Sequence, residues 1–195
     1  MTPWIRTASM AVRAAALAAV LTLPVTIFAQ DSDKPRAVIH TSMGEFTVEL
    51  YPSQAPKTVE NFLQYARDGY YSGTTFHRVI SHFMIQGGGL TADLQPKVTR
   101  EPVENEADNG LKNLRGTIAM ARTNDPHSAT SQFFVNVEAN PALDHRGTTD
   151  SRAWGYTVFG HVVDGMDVVD RIRFVETNAR DVPVEPVIIE SVEVL

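Results

Sequence analysis

The chain has 195 residues, with 17 Lys and Arg against 23 Asp and Glu and no cysteine. A formal net charge of −6 argues against nucleic acid as a partner. Without cysteine there can be no disulfide, thiolate nucleophile or Cys-ligated zinc.

Residues 1–29 contain Arg6 and Arg13, no acidic residue, and an Ala-rich apolar run over 14–29 that is short for a membrane span. They read as a secretory signal peptide cleaved after Ala29, with an uncleaved anchor or an organelle transit peptide as competing readings. Processing leaves 15 basic against 23 acidic residues, a net charge of −8, on a chain destined for the periplasm or for secretion and with no stable membrane insertion. Residues 30–35 then form a short polar tether. Residues 36–195 are the length of one ordinary domain.

Residues 37–40 and 45–50 flank Thr41-Ser42-Met43-Gly44, a hairpin signature. Phe46, Val48 and Leu50 alternate with Glu45, Thr47 and Glu49, as in a strand with one buried face. Pro56 opens a stretch with Val59, Phe62, Leu63 and Ala66 at helical spacing, and Gly69 closes it, which predicts an amphipathic helix. A second helix is expected from about Asp164, ending before Pro183. Short strand-like runs lie at 76–80, 83–86, 116–121, 132–137, 156–163 and 187–194. Gly87-Gly88-Gly89 lacks dinucleotide-binding spacing and reads as a tight turn. The stretch 87–113 has little periodicity, so it is either an ordered functional excursion or locally disordered. Many short strands with two isolated helices argue for a mainly β fold, and periodicity does not separate a barrel from a sandwich.

Four segments carry chemistry. Phe76-His77-Arg78-Val79-Ile80 is followed at once by Phe83-Met84-Ile85-Gln86; Gly116-Thr117-Ile118-Ala119-Met120-Ala121 comes next, then Thr130-Ser131-Gln132-Phe133-Phe134-Val135-Asn136, and Val158-Phe159-Gly160 follows. The Arg78 guanidinium and the carboxamides of Gln86 and Gln132 stand among large apolar side chains, a mixture suited to an apolar group attached to an amide. In this order the segments resemble the cyclophilins, the barrel-fold peptidyl-prolyl cis-trans isomerases, over residues 36–195. The resemblance implies a closed antiparallel eight-stranded β-barrel capped by two α-helices. It also implies acceleration of X-Pro isomerisation in proline-containing polypeptides during the folding of exported proteins, without cofactor or metal. A non-catalytic proline-peptide binding module or holdase chaperone is the alternative.

The residues at the matching positions inherit expected roles. Arg78 and Gln86 are the expected catalytic pair; Phe83, Met84, Phe134 and Leu143 would form the proline pocket; Gln132, Ala121, Arg122 and Tyr156 would hold the flanking peptide. Phe83 and Met84 are adjacent, so placing both in one pocket requires a strand end or a bulge. Ala142 stands where many family members have a Trp that packs against cyclosporin and donates its indole N–H to it. Weak or no cyclosporin binding is therefore expected. Trp154, in an enlarged stretch over 145–155, is a candidate to refill the space beside Ala142.

Overall fold

The computed structural model describes Met1 and residues 34–195. The expected signal peptide, apart from Met1, and most of the expected tether lie outside these. The domain orders its elements as β1 (Arg36–Thr41), β2 (Gly44–Leu50), α1 (Pro56–Arg67), β3 (Thr74–Ile80), β4 (Met84–Thr91), β5 (Thr117–Met120), β6 (Phe133–Asn136), β7 (Val158–Asp164), α2 (Met166–Arg173) and β8 (Ile188–Val194). The strands close into one antiparallel barrel in the order β1-β2-β7-β5-β6-β4-β3-β8. The expected hairpin is β1–β2, paired from Arg36 with Glu49 to Thr41 with Gly44.

The barrel interior is filled by alternate residues of these strands, among them Ile39, Phe46, Val48, Ile85, Ile118, Phe133, Val135 and Ile189. Helix α1 adds Val59, Phe62 and Leu63 to the same core, and α2 adds Val168, Val169 and Ile172. Phe62 sits among Tyr71, Phe133 and Phe159, with ring centroids 5.3, 5.8 and 5.4 Å away.

Helix α1 begins with Pro56 and has no side-chain cap of its own. Its free N–H groups are met from 49 residues away: the Glu106 carboxylate accepts from the Lys57 and Thr58 amides at 3.1 and 2.9 Å and from the Thr58 hydroxyl at 2.7 Å. A carboxylate there satisfies orphan donors and opposes the positive end of the helix dipole. Beside it, the Asn105 side chain donates to the Pro126 and Gly155 carbonyls, at 3.1 and 3.2 Å, and accepts from the Ala107 amide and the Thr157 hydroxyl. Of the aperiodic stretch 87–113, the first residues belong to β4 and the remainder is an ordered excursion, fastened at Asn105 and Glu106 to three other parts of the chain.

The second helix, expected from about Asp164 and ending before Pro183, spans Met166–Arg173, and the chain past Phe174 turns back on itself through an isolated bridge between Thr177 and Pro183. One expectation needs correction. The glycine triplet is not a turn but lies inside β4. Each glycine there makes room for a neighbour. A Cβ on Gly87 would stand 2.9 Å from the Phe76 ring, and one on Gly89 would stand 2.4 Å from Gln132 Cγ.

Gly87 faces Phe76, and the β3–β4 register slips on either side of that pair. The slip has a consequence for side-chain direction. Phe76 and Val79 both belong to the interior although they are three apart, which a regular strand forbids. The change of phase turns Arg78 outward, where a strand in unbroken alternation from Phe76 would point it into the core.

Candidate active site

A second apolar cluster forms on the outer face of the barrel, separate from the core: Met84, Ala119, Ala121, Phe134 and Val158 are buried there, with Ile80, Phe83, Leu111, Leu143 and Tyr156 packed against them. Strand pairing dictates the layout. Arg78 lies opposite Gln86, Gln86 opposite Phe134, Phe134 opposite Ala119, and Ala119 opposite Val158. Because directly opposed residues of antiparallel neighbours share a face, this one row runs from a cation through a carboxamide to an apolar floor.

Nine residues enclose a notch of about 120 Å³ on this face: Arg78, Phe83, Met84, Gln86, Ala121, Arg122, Phe134, Leu143 and Tyr156. All were expected from the sequence. Sites that enclose drug-sized ligands run to roughly 300–1,000 Å³, so this one suits a single small side chain of a chain lying across it. Phe83 stands in the turn just before β4 and Met84 is the first residue of that strand, which is the strand end their joint placement required.

Gln132 is the tenth expected residue, and it lies next door. With Gln86, Ala121, Arg122, Thr123, Ser128 and Thr130 it lines an adjoining hollow of about 140 Å³. The two sites are joined by a hydrogen bond of 2.9 Å from Gln86 Nε2 to Gln132 Oε1. That bond fixes both amides and leaves the Gln86 carbonyl oxygen and the Gln132 amino group for a ligand.

Arg122 contributes through its side chain. Its guanidinium lies 4.5 Å from the centre of the Tyr156 ring, and Tyr156 meets Phe134 edge-on at 5.7 Å. Arg122 also donates to the Gly155 carbonyl at 3.0 Å and to the Ser151 carbonyl at 2.6 Å, which clamps the 145–155 segment against the notch. Trp154 does not refill the space beside Ala142: its ring is held edge-on between His127 and His145, at 4.7 and 5.9 Å, away from the notch. Ala142 is exposed on the short 3-10 turn Pro141–Leu143.

Arg78 makes no hydrogen bond among the described residues, and its one ionic contact is Asp181 Oδ2, 3.9 Å from Nε. With both partners nearly half exposed, at 45% and 46%, that pair adds little stability. The two Nη groups are left to donate. Asp181 is the participant that sequence reasoning missed. It lies 103 positions beyond Arg78, in a segment without periodicity, and its left-handed φ of +62° is no feature of composition. Beside Arg78, burial and then the neighbouring guanidinium push the His77 imidazole below its ordinary range, although a backbone hydrogen bond near Thr75 opposes the shift. His77 is therefore neutral at pH 7.

Fold and site together define a barrel with a notch sized for one small apolar group on its outer wall, beside a guanidinium that makes no hydrogen bond among the described residues. The sequence profile of the cyclophilin type peptidyl-prolyl cis-trans isomerases matches residues 36–194. The chain is 58% identical to peptidyl-prolyl cis-trans isomerase cyp18 of Streptomyces antibioticus over 161 residues, covering 80% of this chain and 96% of that protein. It is 55% identical to peptidyl-prolyl cis-trans isomerase B of Escherichia coli over 159 residues, with the same two coverages. The crystal structure of a cyclophilin type isomerase from Cryptosporidium parvum superimposes with a TM-score of 0.69 at 27% identity, over 82% of this chain and 96% of the other. The chain belongs to the cyclophilin family, and it is a peptidyl-prolyl cis-trans isomerase.

Proposed function

We propose that Arg78 donates the hydrogen bond that lowers the rotation barrier, while the notch of Phe83, Met84, Phe134 and Leu143 holds the proline ring. An X-Pro bond crosses roughly 18–20 kcal/mol unaided, and no covalent bond is made or broken. At the top of the barrier the amide is twisted and its nitrogen has regained a lone pair. A permanently charged, forked donor placed beside that nitrogen binds the twisted form more tightly than the planar one, which is what catalysis requires. Gln86, Gln132, Tyr156, Arg122 and the Ala121 backbone hold the flanking peptide. The observation that carries this reading is an Arg78 without hydrogen bonds at the edge of an apolar notch sized for one small side chain. Catalysed cis-trans exchange of an X-Pro tetrapeptide, followed by NMR with the unmodified protein and an Arg78→Ala variant, tests it. Equal exchange in the two would overturn the role of Arg78.

The clients are exported proteins in this reading, supported by Arg6, Arg13 and the apolar run over 14–29. Intact-mass analysis of protein from the cell envelope is expected to give a chain beginning near Gln30; one still beginning at Met1 and held in the membrane would overturn processing.

Cyclosporin is a weak inhibitor here, because an exposed methyl at Ala142 supplies neither the aromatic wall nor the indole donor of many family members. Such a contact is worth roughly 2–4 kcal/mol, or about one and a half to three decades in affinity. Ala142→Trp is expected to tighten inhibition by that factor with little change in turnover of a short peptide. Nanomolar inhibition of the unmodified protein would refute the assignment.

A further inference from the structure

A second concavity, unused by the reaction, has His77 and Val182, the chain neighbours of Arg78 and Asp181, in its lining. It is a groove of about 170 Å³ between the end of β4 and the segment 182–186, lined by His77, Ala92, Leu94, Val182, Val184 and Pro186 among others. Leu94 and Val184 are large apolar side chains left 39% and 54% exposed beside it. Leu94 is held there in the left-handed region, φ +59°, which a residue of its kind rarely adopts. Such strain persists where the surroundings enforce it, and here the turn does so, with the Leu94 amide bonded to the Thr91 carbonyl at 2.9 Å. The one titratable residue in the lining, His77, is neutral at pH 7 for the reasons given above, so the groove offers no charge to an occupant.

The groove and the notch are lined by residues adjacent in the chain. His77 lines one and Arg78 the other, as neighbours in β3; Val182 lines the groove and Asp181 stands against Arg78, again as neighbours. A polypeptide whose proline occupies the notch has the reach to enter the groove within a few residues, since an extended chain advances roughly 3.3 Å per residue.

We infer that the groove is a second subsite for the same client polypeptide, taking one apolar side chain a few residues from the isomerised proline. Its volume selects a side chain over a drug-sized small molecule, whose sites run to roughly 300–1,000 Å³. Its exposed neighbours Asp93 and Glu185, on a chain of net charge −6, disfavour a second copy of this protein as occupant. The inference rests on the isomerase reading of the notch, and its test separates the two.

The test uses Ala-based peptides of about twelve residues with one central Pro, in which a single Leu is moved through the positions on either side. Turnover is measured alongside that of a Leu-free tetrapeptide. One or two Leu positions are expected to lower KM about tenfold in the unmodified protein. Val184→Arg and Leu94→Asp each abolish that gain, while tetrapeptide turnover and thermal midpoint stay unchanged. A flat Leu scan overturns the inference, as does a gain that survives both substitutions. Dimerisation in sedimentation that Val184→Arg abolishes would also overturn it, by giving the groove to a second copy. Tetrapeptide turnover tests the isomerase reading by itself. Calorimetric titration of the longer peptides measures the Leu-dependent affinity whether or not they are turned over.

Discussion

Replacing Arg78 by alanine is expected to lower kcat/KM by at least about two decades, a loss of about 2.7 kcal/mol in transition-state stabilisation. The thermal midpoint should not move, because Arg78 is exposed, buries nothing in the core and has only a 3.9 Å surface contact to lose. The loss should fall on kcat more than on KM, since in the proposed mechanism the guanidinium meets its acceptor only once the amide has twisted, whereas Phe134, Met84 and Leu143 hold the ring throughout. Arg78→Lys should recover only part of the rate, since an ammonium lacks the planar fork. Progress curves on a tetrapeptide, with melting followed on the same samples, decide it. Near-normal turnover in Arg78→Ala would assign the rate enhancement to the notch and the carboxamides.

Phe62→Ala is expected to cost about 3–5 kcal/mol of folding stability, the usual range for removing a fully buried phenylalanine. Phe62 is wholly inaccessible and lies against three aromatic rings, Tyr71, Phe133 and Phe159, that come from separate parts of the chain and are each fixed by their own packing, so the rings cannot all close on the space it leaves. A urea titration should show a lower midpoint with an unchanged slope. A shift worth less than about 1 kcal/mol would mean that the core collapses around the missing ring. Well below its melting temperature the variant should still turn over peptide, because Phe62 does not line the notch.

How far the sequence could be read depended on what each residue answers to. Helix α1 was legible because Val59, Phe62, Leu63 and Ala66 answer only to helical period and burial. The β1–β2 hairpin was legible for the same reason at period two. The site residues were legible through motifs, and nine of the ten line one notch with Gln132 bonded at its border. The glycine triplet was misread because its cause is remote: Phe76 and Gln132 need the space that a Cβ would fill, and neither is a sequence neighbour of the glycines. The outward turn of Arg78 was hidden likewise, for it depends on a slip of register against β4. Trp154 was misplaced because an aromatic in an irregular loop has no period to orient it, and two histidines hold it elsewhere.

The fastening at Asn105 and Glu106 also bears on how the molecule opens. The Glu106 carboxylate holds the first turn of α1, and Asn105 holds the Pro126 and Gly155 carbonyls, the second of which also receives Arg122. Two consecutive side chains thus join the helix start to the wall of the notch, so neither end can loosen alone without breaking charge-assisted or buried hydrogen bonds. Amide hydrogens at residues 57–58, 105–107 and 155–157 should therefore exchange with deuterium as one cooperative unit rather than as three loops of independent protection. A peptide settling against Arg122 and Tyr156 would then slow exchange at the start of a helix it never touches.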